Sequence, residues 1–156
     1  MKVLFLCTAN SCRSILSEAL FNHLAPVGLR AYSAGSHPSG RVHPLSLRAL
    51  ERAGVSTAGL SSKGNEAHAA LAPDLVVTVC DQAAGEACPA FFGPALKVHW
   101  GLVDPSAQAG DAAQVEAAFD ATLAQIRRRV EAFLALPLDR LEGDRLKAEL
   151  ARIGTL

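Results

Sequence analysis

The sequence predicts an α/β fold in which a parallel β-sheet carries α-helices on both faces. Short apolar runs, typical of buried strands, alternate with longer segments whose apolar residues recur at helical spacing. The chain has 156 residues, which favours one domain, and 50% of them are hydrophobic, which is enough for a core. Its 15 basic residues balance its 15 acidic residues, so no overall positive field favours binding to nucleic acid or an anionic membrane.

The first half of the chain is predicted to form a strand, a helix, a strand and a helix. The apolar run 3–6 is typical of a strand buried on both faces, and apolar spacing over 15–24 predicts a helix that ends before Pro26. Residues 29–34 predict a second strand, and residues 44–53 predict a helix with proline near its start.

The second half is predicted to add two strands and a long helix. Residues 75–79 form the clearest strand because valine dominates the run, and residues 95–100 predict a shorter one. Asp111 and Gln114 suit a capping box, after which apolar residues follow one helical face. The more polar segment 137–156 predicts either a last docked helix or a frayed end.

The sequence shows no membrane span, because no apolar run approaches the roughly 18 residues that such a helix needs. The apolar start of the chain is also too short for a signal peptide. We therefore expect a cytoplasmic protein whose cysteines stay reduced, and hence catalytic, metal-binding or inert. The four cysteines are Cys7, Cys12, Cys80 and Cys88. The spacing of Cys80 and Cys88 does not suit zinc, and the five histidines show no ligand spacing, so no zinc site is expected.

The segment 7–14 has the pattern Cys-x5-Arg-Ser and lies between the first predicted strand and the first predicted helix. At this edge of an α/β sheet, a helix N-terminus presents free N–H groups and a positive dipole end to an anion. Arg13 adds a planar fork for two oxygens of a tetrahedral oxyanion. The same surroundings favour the reactive thiolate of Cys7, to which Ser14 can donate a hydrogen bond. The predicted anion-binding residues are Thr8, Ala9, Asn10, Ser11, Cys12, Arg13 and Ser14.

This segment resembles the active-site loop of the low-molecular-weight protein tyrosine phosphatase superfamily, which includes the thioredoxin-coupled arsenate reductases. Residues 32–35 resemble the family's second strand, and residues 100–105 resemble the loop that carries its general acid, here Asp104. The resemblance covers residues 1–136 as a phosphatase-like domain and leaves 137–156 as a C-terminal extension. It implies a four-stranded parallel sheet in the order 2-1-3-4. One departure is Ala9, where many members have glycine, because its Cβ restricts the backbone.

Two features favour the reductase branch of this superfamily over the phosphatases. A phosphatase uses Cys7, Arg13 and Asp104 but has no use for Cys80 and Cys88. The loop after the Asp-Pro pair also lacks the aromatic residues that tyrosine phosphatases of the superfamily share. In the implied strand order, the strands that end at Cys7 and Cys80 are neighbours. Moderate loop movement would then bring their Cα atoms within the roughly 7 Å of a disulfide.

The resemblance implies a thiol relay that reduces arsenate to arsenite for arsenic detoxification. Cys7 attacks arsenic while Asp104 protonates the leaving oxygen, and Cys80 then attacks the Cys7 sulfur so that arsenite leaves. Cys88 moves the disulfide to Cys80–Cys88, which thioredoxin reduces, with glutaredoxin or mycoredoxin as other donors. The residues expected to support the loop are Asn10, Ser14, Glu18 and Ser33. The resemblance implies that Glu18 and Ser33 do so from behind the loop, in some reductases with a potassium ion.

Other functions remain open at this point. The chain could be a phosphatase that acts on phosphotyrosine or another phosphomonoester, or a non-catalytic oxyanion or redox sensor that signals through Cys80 and Cys88. These two cysteines could also be a buried strand-end thiol and a loop thiol without a role. In the same way, Glu18 could be an exposed acid in the first helical turn, and Ser33 a strand-end cap. Cys12 is assigned no catalytic step.

Overall fold

The computed structural model describes residues 1–81, 85 and 93–156 of the chain. Its strands are β1 (Lys2–Cys7), β2 (Arg30–Gly35), β3 (Leu75–Thr78) and β4 (Leu96–His99). Its α-helices over this part of the chain are α1 (Arg13–Leu24), α2 (Pro44–Arg52), α3 (Ala112–Leu134) and α4 (Gly143–Ile153). All strand pairs are parallel, and the sheet has the order β2-β1-β3-β4, which confirms the predicted fold class and strand order.

The central strand β1 is buried on both faces, as its continuous apolar run predicts. Because side chains alternate along a strand, Val3 and Phe5 enter the larger apolar cluster, whereas Leu4 and Leu6 enter a smaller one on the opposite face. The larger cluster contains residues of all four α-helices named above. The smaller cluster is completed, within the described ranges, by side chains from β2, β3 and the segments beside β3 and β4.

The helix boundaries follow local signals in the sequence. The predicted capping box of α3 forms: the Asp111 side chain accepts from the Gln114 N–H at 2.9 Å, and the Gln114 side chain accepts from the Asp111 N–H at 2.9 Å. Two short 3₁₀ helices, Asn65–His68 and Pro105–Ala107, were not predicted. Each is a single turn, too short to show an apolar period.

The C-terminal segment packs against the rest of the chain through α4. Leu150 and Ile153 are fully buried in the larger cluster, and the Trp100 indole N–H donates to the Leu150 carbonyl at 2.9 Å. In the part of the chain that the structure describes, no helix combines the length and the apolar character needed to cross a membrane.

The carboxyl ends of the strands collect the residues of interest at one edge of the sheet. Cys7 at the end of β1 pairs with Gly35 at the end of β2. The ladder continues past β3, because the Val79 N–H donates to Leu6 at 3.0 Å and the Leu102 N–H donates to Val79 at 3.0 Å. The residues after β1, β3 and β4 therefore converge above the same sheet edge.

Candidate active site

The Cys7 loop (residues 7–14) points its carbonyl groups outward. The Thr8 carbonyl accepts from the His37 N–H at 2.9 Å, and the Ala9 carbonyl accepts from the Ser39 N–H at 3.0 Å. The Ser11 carbonyl accepts from the Ser46 hydroxyl at 3.0 Å. In contrast, no described residue accepts a hydrogen bond from the backbone N–H groups of residues 9–14. These groups, with the start of α1, provide donors for a tetrahedral oxyanion.

The backbone of this loop bends at Asn10, which has a φ of 49° and a fully buried side chain. A non-glycine residue in this left-handed region carries a backbone strain of about 1–3 kcal/mol unless its surroundings hold it. The sequence predicted a restricted backbone at Ala9, but the residue with a positive φ is the next one, Asn10. Gly35 completes the bend, because a Cβ on Gly35 would overlap the Thr8 carbonyl oxygen.

Asn10 is held by the residues that the sequence analysis named as loop supports. Its Nδ2 group donates to the Ser14 hydroxyl at 2.8 Å and to the Ser33 hydroxyl at 3.0 Å. The Ser33 hydroxyl in turn donates to Glu18 at 2.5 Å. Glu18 is therefore a half-buried acceptor and not an exposed first-turn acid, since its side chain is only 14% exposed. The Ser14 hydroxyl oxygen accepts the hydrogen bond from Asn10, so the hydroxyl proton of Ser14 remains available to donate to another group.

Lys63, which the sequence did not mark as a site residue, is part of the hydrogen-bond network around Asn10 and Glu18. Its backbone N–H donates to the Asn10 Oδ1 atom at 2.9 Å, and its ammonium lies 3.7 Å from Glu18 Oε1. Burial lowers the pKa of Lys63, and the charge of Glu18 opposes this shift. Lys63 lies in a segment without apolar periodicity, so no sequence signal distinguished it from a surface lysine. Its role depends on contacts with residues about 30 to 53 positions away.

Arg13 begins α1 and reaches over the loop. Its Nη1 group donates to the Leu102 carbonyl at 3.2 Å, and its Nη2 atom lies 3.7 Å from Asp104 Oδ2. Its Nε–H is buried and has no hydrogen-bond partner in the described part of the chain. Buried donors are normally paired, so a free one beside a ring of free backbone N–H groups indicates an anion site.

Asp104 lies on the loop that follows β4 and faces the Cys7 loop through Arg13. One of its carboxylate oxygens, Oδ1, accepts from the Ser106 N–H at 3.0 Å and from the Ser106 hydroxyl at 2.7 Å. These bonds orient the side chain and turn Oδ2 toward Arg13. Asp104 is therefore positioned beside the space that an oxyanion bound to Arg13 would occupy.

Cys7 and Cys80 both carry buried thiols, outside any disulfide, at this sheet edge. Cys80 interacts with the Cys7 thiol, and Cys80 Sγ also lies 3.5 Å from the Thr8 hydroxyl. The contact with Cys80 raises the pKa of Cys7, and burial raises it further, while the charge of Arg13 lowers it. The two thiols therefore form an interacting pair, in which Cys80 strengthens the hold of Cys7 on its proton.

We expect Cys80→Ala to lower the pKa of Cys7, because the variant loses the contact that raises it most. Alkylation of Cys7 by iodoacetamide follows the thiolate, so its rate should reach a plateau at lower pH than in the wild type. Mass spectrometry of the Cys7 peptide across a pH series measures this rate. Cys12→Ala, in the same loop, should keep the wild-type profile. An unchanged or higher midpoint in Cys80→Ala would contradict the proposed pairing.

The remaining two cysteines are Cys12 and Cys88. Burial raises the pKa of Cys12, whose thiol lies 3.7 Å from the Ser11 hydroxyl, so Cys12 keeps its proton and suits a supporting position in the loop. Cys88 lies outside the described residues. Among the residues that the structure describes, no group of three or more His, Cys, Asp or Glu side chains is arranged to hold a metal ion.

Comparisons with known proteins agree with this geometry. The sequence matches the family described as "Low molecular weight phosphotyrosine protein phosphatase" over residues 2–150. An arsenate reductase of Halalkalibacterium halodurans is 33% identical over 131 residues, which covers 84% of this chain and 93% of that protein.

Solved structures show the same relationship. An arsenate reductase from Archaeoglobus fulgidus is 28% identical and superposes with a TM-score of 0.71, covering 86% of this chain and 99% of that one. A thioredoxin-dependent arsenate reductase of Corynebacterium glutamicum is 26% identical with a TM-score of 0.59, covering 83% of this chain and 61% of that one. The relatives named here are arsenate reductases. The fold, the loop and these matches together show that the chain belongs to the low molecular weight phosphotyrosine protein phosphatase family.

Proposed function

We propose that this chain reduces arsenate to arsenite, with Cys7 as the nucleophile and Cys80 as the first thiol of a relay. The observation that carries the proposal is the interaction between these two buried thiols beside the free N–H groups of the Cys7 loop. A second buried thiol at this position has no task in phosphoester hydrolysis, whereas a reduction needs it. The arsenate reductases among the relatives support the same substrate.

The first step is attack of the Cys7 thiolate on arsenic. An S–As bond forms, one As–O bond breaks, and Asp104 protonates the leaving oxygen so that it departs as water. The Cys7 thiol loses its proton to solvent before this step, and the positive charge of Arg13 favours the thiolate. Arg13 and the loop N–H groups stabilise the negative charge of the oxyanion throughout.

The second step is the reduction itself. The Cys80 thiolate attacks the Cys7 sulfur, an S–S bond forms, and the S–As bond breaks with its electron pair remaining on arsenic. Arsenic therefore passes from the +5 to the +3 state and leaves as arsenite. The two electrons come from the two thiols, which end as a Cys7–Cys80 disulfide.

The third step transfers the disulfide to an external dithiol. Cys88 attacks Cys80, which frees Cys7 and leaves a Cys80–Cys88 disulfide for exchange with a reductant. Thioredoxin is the reductant we propose, in line with the thioredoxin-dependent relative of Corynebacterium glutamicum, and glutaredoxin or mycoredoxin are the competing donors. The cycle begins from free thiols, which suits a cytoplasmic location where disulfides are reduced.

The direct test is arsenate-dependent oxidation of NADPH by the full chain with thioredoxin and thioredoxin reductase. We expect turnover with thioredoxin and slower turnover when a glutaredoxin system replaces it. Hydrolysis of an aryl phosphate, measured in parallel, tests the phosphatase alternative. Fast aryl-phosphate hydrolysis without arsenate-dependent NADPH oxidation would refute the reductase proposal, and arsenate binding with neither activity would favour a sensor.

A further inference from the structure

We propose that the Lys63 ammonium takes the place of a potassium ion behind the Cys7 loop, so that this chain carries its own cation. The inference rests on the proposed function only in its premise that the Cys7 loop binds a tetrahedral oxyanion. It makes Lys63 a positioning residue that acts on the anion site through Asn10, Ser33 and Glu18.

The ammonium lies where oxygen atoms from several segments converge. Lys63 Nζ donates to the Ser61 carbonyl at 2.7 Å, to the Ser33 hydroxyl at 3.3 Å and to Asn10 Oδ1 at 3.4 Å. Its fourth neighbour is Glu18 Oε1 at 3.7 Å. Carbonyl, hydroxyl and carboxylate oxygens are the ligands that hard cations take in proteins. The three donors of the ammonium therefore use oxygens that would otherwise form a cation site.

The charge of this cluster leaves no place for a second cation. Glu18 is the one carboxylate that pairs with Lys63 among the described residues, and their opposite charges cancel. His68 also contacts the cluster, since its Nε2 atom lies 3.0 Å from the Ser33 carbonyl oxygen, and burial lowers its pKa, which keeps it neutral. A potassium ion added beside the ammonium would place an uncompensated positive charge in a half-buried site. The residues present therefore do not fit a bound potassium ion.

The ammonium acts on the anion site through the conformation of Asn10. The left-handed backbone of Asn10 is held by its side-chain contacts, and this backbone aims the neighbouring N–H groups into the site. The main-chain N–H of Lys63 also donates to Asn10 Oδ1 and would remain after any substitution of its side chain. Replacing the side chain therefore isolates the contribution of the cation.

Binding of inorganic phosphate to the full chain, measured by isothermal titration calorimetry, tests this inference. The salts are potassium, sodium and choline chloride at equal ionic strength. The wild type should bind phosphate with the same affinity in all three salts. Lys63→Met should bind about tenfold more weakly in choline, and potassium should restore the affinity, because the freed oxygens then accept an ion.

Two further variants give the controls. Lys63→Arg keeps a positive charge at this position, so its phosphate affinity should be the same in all three salts, as in the wild type. Lys147 is an exposed lysine of α4 without a hydrogen bond or ion pair in the described part of the chain, so Lys147→Met should behave like the wild type. If Lys63→Met does not fold, the wild type and Lys63→Arg in the three salts decide the question.

Three results would overturn the inference. They are a wild-type affinity that rises specifically in potassium, an affinity of Lys63→Met equal to that of the wild type in every salt, and a loss in Lys63→Met that no cation relieves. Because phosphate binding is the readout, arsenate turnover does not enter the test. A chain that shows the expected salt pattern but fails the NADPH assay would refute the proposed reductase activity alone.

Discussion

Cys80→Ser should abolish arsenate turnover, with a fall in kcat of about a thousandfold or more, while leaving oxyanion binding intact. The hydroxyl can fill the place of the thiol beside Cys7 and Thr8, so the loop keeps its packing. Serine does not, however, attack the Cys7 sulfur to release arsenite. The S–As adduct on Cys7 would therefore form and persist, and even the first turnover would yield no arsenite.

Two measurements distinguish this outcome from a misfolded variant. Mass spectrometry after arsenate treatment should find arsenic attached to the Cys7 peptide of Cys80→Ser, and phosphate should bind with the wild-type affinity. Cys12→Ser serves as the matched control, because Cys12 is buried in the same loop and has no step in the relay. Steady-state arsenite release by Cys80→Ser at the wild-type rate would rule out the relay.

Arg129→Met should destabilise the protein by about 3 kcal/mol, because it removes the donor that satisfies several buried carbonyl groups. Arg129 is 4% exposed, and its guanidinium donates to the main-chain oxygens of Trp100 at 2.9 Å and Gly101 at 3.0 Å. It also donates to Gly154 at 3.0 Å and Leu156 at 3.2 Å. No acidic side chain pairs with it in the described residues.

The carbonyl groups at the end of α4 carry the negative end of that helix dipole, which stabilises the buried charge of Arg129. The same guanidinium fixes Trp100 and Gly101 at the start of the loop that carries Asp104. We therefore expect Arg129→Met to lower kcat as well as stability. This contact also gives the C-terminal segment a structural part in holding the Asp104 loop.

Thermal unfolding measures the effect on stability, with an expected fall in Tm of about 6–12 °C for a domain of this size. Arg128 provides the matched control, since it is the adjacent arginine of α3 and is exposed. Burial lowers the pKa of Arg129 and the positive charge of Arg128 lowers it further, so Arg128→Met should leave Tm unchanged or raise it slightly. Equal losses in both variants would show that the carbonyl contacts of Arg129 contribute little.

Most elements of the fold could be predicted because their signals are local. The run of apolar residues in β1 predicts burial on both faces, and the Asp111–Gln114 pair predicts the start of α3, which the structure confirms. The Cys-x5-Arg spacing predicts an anion site between a strand and a helix, which stays a prediction. Such features depend on neighbours within one or two turns of the chain.

The long-range partners could not be predicted in this way. Lys63 occurs among ordinary polar residues, and no periodicity or motif marks it. Arg129 lies at helical spacing on the buried face of α3, but this spacing does not show which groups its guanidinium meets. Their importance depends on which carbonyl and carboxylate oxygens the fold brings within hydrogen-bond distance of them. The requirement for glycine at position 35 is similar, since it depends on how closely the Thr8 carbonyl approaches β2.

By itself, the sequence determined the fold class and, through its family resemblance, the strand order, and it predicted the loop and the roles of its cysteines. The tertiary structure alone decided that Asn10 bends the loop and that a lysine ammonium holds the loop from behind. The physical reason is that local patterns record which residues are buried and how they are spaced along a strand or helix. Hydrogen bonds between distant segments depend on distances of a few tenths of an ångström, which only the packed chain defines.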